Sequence, residues 1–148
     1  MKNVILVCSL LCVLVTACVT TRTPPVLART GPLQGDEQLI QGSWVVVHHE
    51  MSHMALPEMK GRVHIYFGRQ FRLDTDAGSE AFRIDEQCEP KRIDFDDGHR
   101  PLMQGIYKLE ADRLTVCVGA PGRGRPTTFN TRFGDQSLLT ILERAPAK

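Results

Sequence analysis

Between Leu39 and Arg144 the apolar residues recur with a period of two in short runs, broken every eight to twelve residues by glycine, proline or aspartate. Successive side chains of a strand point to opposite faces, so this pattern buries one face of a pleated sheet and suits no long helix. Short runs separated by tight-turn residues imply antiparallel strands joined by hairpins. The runs predict strands over residues 44–48, 62–67, 70–74, 80–85, 92–96, 104–110, 113–118, 126–131 and 137–144. Gly68-Arg69 and Glu110-Ala111-Asp112 read as tight connections, and Asp76 to Ser79 as a further turn.

A meander of eight or nine strands buries its edges best by closing on itself. The expected fold is therefore all-β, an antiparallel up-and-down barrel of about eight strands, with a two-sheet β-sandwich as the alternative. A barrel of that size is filled by side chains or holds one small ligand. The side chains expected to point inward are Trp44, Val46, Val63, Ile65, Phe82, Tyr107, Leu109, Leu114 and Val116.

The N-terminus has a different character. Lys2 precedes an almost wholly apolar run, Val4 to Val15, too short for a permanent membrane span of about 20 residues but proportioned like a secretory signal. That run ends in Val15-Thr16-Ala17-Cys18, which resembles the bacterial lipobox. The resemblance implies a signal peptide over residues 1–17, cleavage before Cys18, and lipidation (diacylglycerol and palmitate-type chains) of Cys18. Several acyl chains at about 0.8 kcal/mol per buried methylene anchor a protein durably, whereas a single chain does not. Residues 18–38 are rich in Thr, Pro and Gly and read as a tether, leaving residues 39–148 as one domain. The expected location is the bacterial envelope, on an unspecified membrane, with the domain in the periplasm or outside the cell.

Removing residues 1–17 takes away Lys2 and no acid, leaving 17 basic and 17 acidic side chains. A balanced chain with scattered charges has no electrostatic footprint for nucleic acid.

Two sets of residues resemble known families. Gly42-Ser43-Trp44 is similar to the G-x-W of lipocalins, in which the tryptophan closes one end of the barrel and an arginine near the last strand packs across it; Arg144 stands in a suitable place. More of the chain, residues 39–144, resembles an uncharacterised lipocalin-like domain family common in planctomycete-type bacteria. The residues that carry this likeness are Gln41, Gly42, Trp44, Ile93, Asp94, Gly105, Tyr107, Leu109, Asp112, Leu114, Cys117, Pro121, Gly122, Arg125, Pro126 and Phe129. The resemblance implies a lipocalin-like barrel and brings no reaction, cofactor or catalytic residue. Cys88 departs from the family pattern.

Several short motifs invite stronger readings. His49-Glu50-Met51-Ser52-His53 is the H-E-x-x-H string of zinc proteases, which needs both histidines on one face of a helix. Four residues of extended strand cover about 13 Å, too far for one ion. Three valines lead into the string, Pro57 bounds any helix, and Leu56 and Met59 stand where a metzincin needs glycine and histidine. The stretch is therefore expected to be the end of the first strand running into a hairpin loop, and a zinc hydrolase through His49, Glu50 and His53 is the least supported function. His48, His49, His53 and His64 read as surface histidines near the first hairpin.

Residues 119–129, GAPGRGRPTTF, lack the Gly-Lys-Ser/Thr opening of a phosphate loop and read as a structured connection into a strand. Arg123 and Arg125 are candidates to hold an anionic group at the barrel mouth, and Trp44 and Tyr107 to line a ligand site. Asp94 to Gly98 fails the calcium-loop register because Gly105 occupies the glutamate position, leaving a turn with solvated acids. An exported domain permits a disulfide between Cys88 and Cys117, but their places at opposite ends of the meander favour two free thiols.

The function these features support is a non-enzymatic, membrane-anchored lipoprotein that binds a small apolar or amphipathic ligand or an envelope protein. The alternative is an inhibitor or interaction module with a packed barrel. No cofactor is implied.

Overall fold

The structure, a computed structural model, describes residues 31–96 and 103–146. The expected signal peptide, Cys18 and most of the expected tether lie outside the described residues, as do Asp97 and Gly98. A short helix α1 (Asp36–Leu39) is followed by β1 (Gly42–Met51), β2 (Met54–Ala55), a 3₁₀ turn (Pro57–Met59), β3 (Val63–Phe67), β4 (Gln70–Leu73), β5 (Glu80–Asp85), β6 (Arg92–Asp96), β7 (Met103–Glu110), β8 (Arg113–Val118) and β9 (Leu138–Arg144). Strands β3 to β9 pair in sequence order, and β1 pairs with β3 on one side and β9 on the other. Eight antiparallel strands thus close into a barrel, and β2 extends one end of β1 as a ninth.

The turns expected from sequence lie where the strand ends require them. Gly68 adopts φ +60°, which lets the chain reverse in two residues between the paired Phe67 and Gln70. Ala111 and Asp112 likewise connect the paired Glu110 and Arg113. Gly105 has a separate requirement: a Cβ there would lie 2.5 Å from Val118 Cγ1 and 2.7 Å from the Cys117 carbonyl oxygen. Only glycine admits this close approach of β7 and β8.

Four expectations are corrected. Residues 126–131 are not a strand, because β9 pairs directly with both β8 and β1 and leaves no vacant ladder between them. Those residues belong to a long β8–β9 loop. The inward face of β3 carries His64 and Tyr66, so Val63 and Ile65 point outward: His64 pairs with the buried Trp44, and Tyr66 is 2% exposed in the core. The alternation defines two faces but both are apolar enough to be chosen. The ordered fold starts before Leu39, since Asp36 and Glu37, read as tether, are buried in α1. Finally, β1 is longer than its apolar run, continuing past a bulge between Val46 and His48 that lets it pair with β9 as far as Met51.

Trp44, Val46, Phe82, Tyr107, Leu114 and Val116 take their expected inward places in one core cluster, and Leu109 packs against it. A second, smaller cluster lies on the outer face. Ile106, Cys117 and Leu139 face outward from β7, β8 and β9 and are covered by Phe129 of the β8–β9 loop.

Candidate functional site

The two ends of the barrel differ in construction. At the end where β1 starts, Trp44 is fully buried and its indole N–H donates to the Ile40 carbonyl at 2.8 Å. The Arg144 guanidinium lies 4.1 Å from the Trp44 ring centroid and donates to the carbonyls of Gln41 and Leu39 at 3.0 and 2.9 Å. A cation over the indole face gains electrostatic attraction while its N–H groups satisfy chain ends that would otherwise be orphaned. Beside them the Tyr107 hydroxyl donates to Asp36 Oδ2 at 2.7 Å, and Lys91 Nζ reaches the same oxygen at 2.6 Å. Burial first, and then the Asp36 carboxylate, push the Tyr107 hydroxyl far above its usual pKa. This end is closed: Trp44 and Tyr107, expected as ligand contacts, hold α1 onto the barrel instead.

The arginines of the β8–β9 loop divide. Arg123 is exposed at a turn. Arg125 lies on the outer face of the barrel, where it forms an ion pair with Asp94 at 2.7 Å and donates to the carbonyls of Gly105 and Ile93. Asp94 also pairs with Arg83 at 3.1 Å. Asp94 is therefore a buried, doubly paired carboxylate, a correction to the solvated acid expected from its sequence context. Arg125 pins the loop rather than guarding the mouth.

The H-E-x-x-H string occupies the end of β1 and the hairpin turn after it, as its context predicts. Ser52 and His53 both have positive φ, 50° and 69°, which is turn geometry. His49 faces inward opposite Thr140, while Glu50 lies on the other face and accepts a hydrogen bond from the Thr131 hydroxyl at 2.8 Å. That bond is the main reason the Glu50 carboxyl titrates below its ordinary range. His48 faces outward and contacts Glu50 at 3.1 Å. The four histidines are thus divided between the interior, the outer face and a turn. Among the described residues, no three side chains from His, Cys, Asp and Glu come together as a metal site.

At the other end of the barrel the side chains that edge the core are half-exposed. Met59, Phe71, Met103 and Leu138 are only partly buried and pack on the edge of the core. Met51 pairs with Leu138 and is 37% exposed. Four polar side chains take inward positions towards this end: His49, His64, Thr140 and, opposite Phe71, Glu80. His49 Nδ1 and Thr140 Oγ1 are 2.8 Å apart. His64 packs edge-on against Phe71, with ring centroids 5.1 Å apart, and its Nε2 is buried without a hydrogen-bond partner. Burial lowers the His64 pKa to about 4 and is also the first cause of the lowered His49 pKa. Both are neutral at pH 7. Surface depressions adjoin both ends, one of about 700 Å³ beside Arg144 and the β7–β8 turn and one of about 430 Å³ between Phe71 and the β4–β5 turn.

A buried imidazole nitrogen without a partner costs about 1–3 kcal/mol, so its retention calls for a reason. Nothing in the sequence singled out His64 except its alternation with Tyr66, which places it inward once Trp44 is taken as its cross-strand neighbour. Phe71, Met59, Met103 and Leu138 were missed because a rim residue carries the same apolar signal as a core residue.

The two cysteines are not joined. Cys117 is a free thiol, buried under Phe129, with its pKa pushed up to about 11 by burial. Cys88 is disulfide-bonded, so the expectation of two free thiols holds for Cys117 alone.

No family model, curated protein or solved structure matches this chain. Among the described residues, no helix is long and apolar enough to cross a membrane.

Proposed function

We propose that this protein is a non-enzymatic lipoprotein of the bacterial envelope, anchored through Cys18, whose barrel binds a small ligand at its open end. The observation that carries the reading is the buried, unpartnered His64 Nε2 next to the half-exposed Phe71 at the edge of the core. Such a floor and rim suit a ligand that brings one polar or charged atom to the imidazole and soft, apolar surface to the surrounding side chains. The closed end supports this polarity. Chain 31–40 enters there, and Trp44, Arg144 and Tyr107 fill and lock it, so the tether side and the binding side of the barrel are opposite.

Two measurements test this. Mass spectrometry of the full chain extracted from membranes will show acylation that Cys18→Ser abolishes; an acylated, membrane-bound variant refutes the anchor. Native mass spectrometry and uptake of an apolar fluorophore such as N-phenyl-1-naphthylamine will show ligand binding that His64→Leu weakens. Unchanged uptake in His64→Leu removes the site from the open end.

A second reading, an interaction module, is favoured by outward apolar side chains on β1 and β3. Val45 pairs with Val63, while Ile65 and Phe67 follow on β3 and Phe67 is 44% exposed. Crosslinking from this face to an envelope protein, lost in Val63→Asp, is the result that would favour it.

A further inference from the structure

We propose that the open end of the barrel is a membrane-docking tip, at which the β1–β2 hairpin and the β8–β9 loop insert Met51, Met54 and Phe133 into the headgroup region of the bilayer that carries the protein's own lipid anchor. The proposal rests on the Cys18 anchor, and it adds a second, non-covalent contact that turns the open end toward lipid.

The first observation is where large apolar side chains meet solvent. Among the described residues five do so, and two of them, Leu39 and Phe67, stand on separate elements at the closed end. The other three are gathered on two adjoining turns at the open end. Met51 and Met54 face one another across the β1–β2 hairpin, and both are exposed. Phe133, in the β8–β9 loop, is 90% exposed, the most of the five. The Thr131 hydroxyl oxygen accepts from the His53 N–H at 2.7 Å, and the Ser52 N–H donates to the Ser137 carbonyl at 3.4 Å. The segment carrying Phe133 is therefore fastened at both ends to the tip of the hairpin.

The second observation is that Phe133 is held out by a well-made turn. The Asp135 N–H donates to the Arg132 carbonyl at 3.2 Å, and Gly134 has φ +84°. The Asp135 carboxylate accepts from the N–H groups of Arg132 and Ser137 at 2.7 and 2.9 Å. A four-residue turn with positive φ at its third position sets Phe133 at the apex, where proline or a polar residue would serve the backbone as well. Ser52 and His53, at φ 50° and 69°, give the hairpin an equally tight end. Two short turns tipped with apolar side chains make a convex surface, which suits the yielding boundary of a bilayer better than the packed pockets of a protein interface. Arg132 is exposed beside Phe133, and a long cationic side chain there can reach the phosphate level while the Asp135 carboxylate is occupied by its own loop.

The length of chain before the described residues decides which bilayer is reached. Gly31 is held at the closed end, where its carbonyl accepts from Arg69 at 3.3 Å. Residues 19–30, between that point and Cys18, span at most about 40 Å when extended. A tilted strand of the length of β1, ten residues, rises about 25 Å along the barrel axis. The connection is longer than the barrel is tall, so the open end can turn back to the membrane that holds Cys18. A contact made by a tethered domain is intramolecular, and a small buried area is enough to maintain it. Docked in this way, the half-exposed edge of Met59, Phe71, Met103 and Leu138 lies toward the phase in which an apolar ligand is most concentrated.

The test uses the full chain, extracted from membranes, weighed for its acyl group and reconstituted into phosphatidylcholine vesicles with or without brominated acyl chains. Trp44, the only tryptophan, is fully buried at the closed end and supplies the unquenched background. Expected is that Phe133→Trp adds a blue-shifted emission that brominated lipid lowers by about half or more, as for a ring about 5–10 Å below the headgroups. Adding Met51→Gln/Met54→Gln should return that emission to quenching by aqueous acrylamide, in variants whose urea midpoints show them folded. Phe67→Trp, at the closed end, should be quenched by acrylamide and untouched by brominated lipid. The proposal is overturned if Phe133→Trp answers to acrylamide alone, or if Phe67→Trp is the one that brominated lipid quenches. It is equally overturned if Phe133→Trp is shielded from both quenchers in step with protein density, which marks a second copy as the occupant. An acylated chain with an unquenched tip sinks the docking and leaves the anchor standing; a chain without an acyl group sinks both.

Discussion

The closed end and the open end of this barrel are built from the same strands, and their polar groups are treated in opposite ways. At the closed end every prominent polar side chain is consumed: Trp44 bonds Ile40, Arg144 bonds Leu39 and Gln41 over the indole, and Tyr107 and Lys91 converge on Asp36. At the open end His64 keeps a buried nitrogen without a partner beside Phe71, and Phe71, Met59, Met103 and Leu138 stay partly exposed at the edge of the core. Complete satisfaction makes a lock; an unmet nitrogen under an accessible rim makes a site.

The strongest way to break the comparison is Trp44→Ala. Removing a fully buried indole leaves a cavity and frees Arg144, and should cost about 3–5 kcal/mol, read as a lower urea midpoint with unchanged slope. A loss below about 1 kcal/mol would mean that the closed end is not where stability resides.

Next in size is acid sensitivity. The folded His64 pKa, about 4, lies below the unfolded value of 6.5, so the unfolded chain binds the proton more readily. The His64 contribution is fully present above pH 6.5 and is lost as the pH falls toward 4. The full difference amounts to about 3 kcal/mol. Denaturation midpoints measured across that window should fall steeply for the wild type and less so for His64→Leu. Parallel profiles would place the acid-sensitive group elsewhere.

Tyr107→Phe removes one of the two donors to Asp36 and should cost about 1–2 kcal/mol. Hydrogen exchange should speed up over residues 36–40 while the open-end strands are unaffected, which sharpens the assignment of this hydroxyl to the closed end. The smallest expected effect is Thr131→Val, which removes the Thr131–Glu50 bond and the acceptor for the His53 N–H. A cost of about 1 kcal/mol is expected, with faster alkylation of Cys117 as the β8–β9 loop loosens. An unchanged alkylation rate would show that Phe129 alone keeps the thiol covered.

Much of the closed end was legible in the chain. The Gly42-Ser43-Trp44 start and the placing of Arg144 anticipated the stacked pair. Residues singled out in the sequence have evident structural uses: Gly105 allows two strands to approach, Asp94 receives Arg125, Tyr107 holds Asp36, and Cys117 sits under Phe129. They read as folding residues. The partner of Tyr107 was not legible, because Asp36 lies 71 residues away in a segment with the composition of a tether.

The open end was the less legible half. The string around His49 and Glu50 was correctly placed at the end of a strand, but a period of two cannot say which of its faces turns inward after a bulge. The same ambiguity put Val63 and Ile65 inside and left His64 outside. Arg125 was assigned to the mouth for its charge, whereas the loop folds back along the outer wall to Asp94.

By itself, the sequence determined that this chain is a meander of short antiparallel strands, because alternation and turn chemistry are local and each run carries its own signal; it left barrel and two-sheet sandwich both open. Only the tertiary structure decided that the meander closes on itself, which face of β3 fills the interior, and that α1 belongs to the domain. Those outcomes depend on register and closure, in which a shift of one residue moves every side chain of a strand to the opposite face.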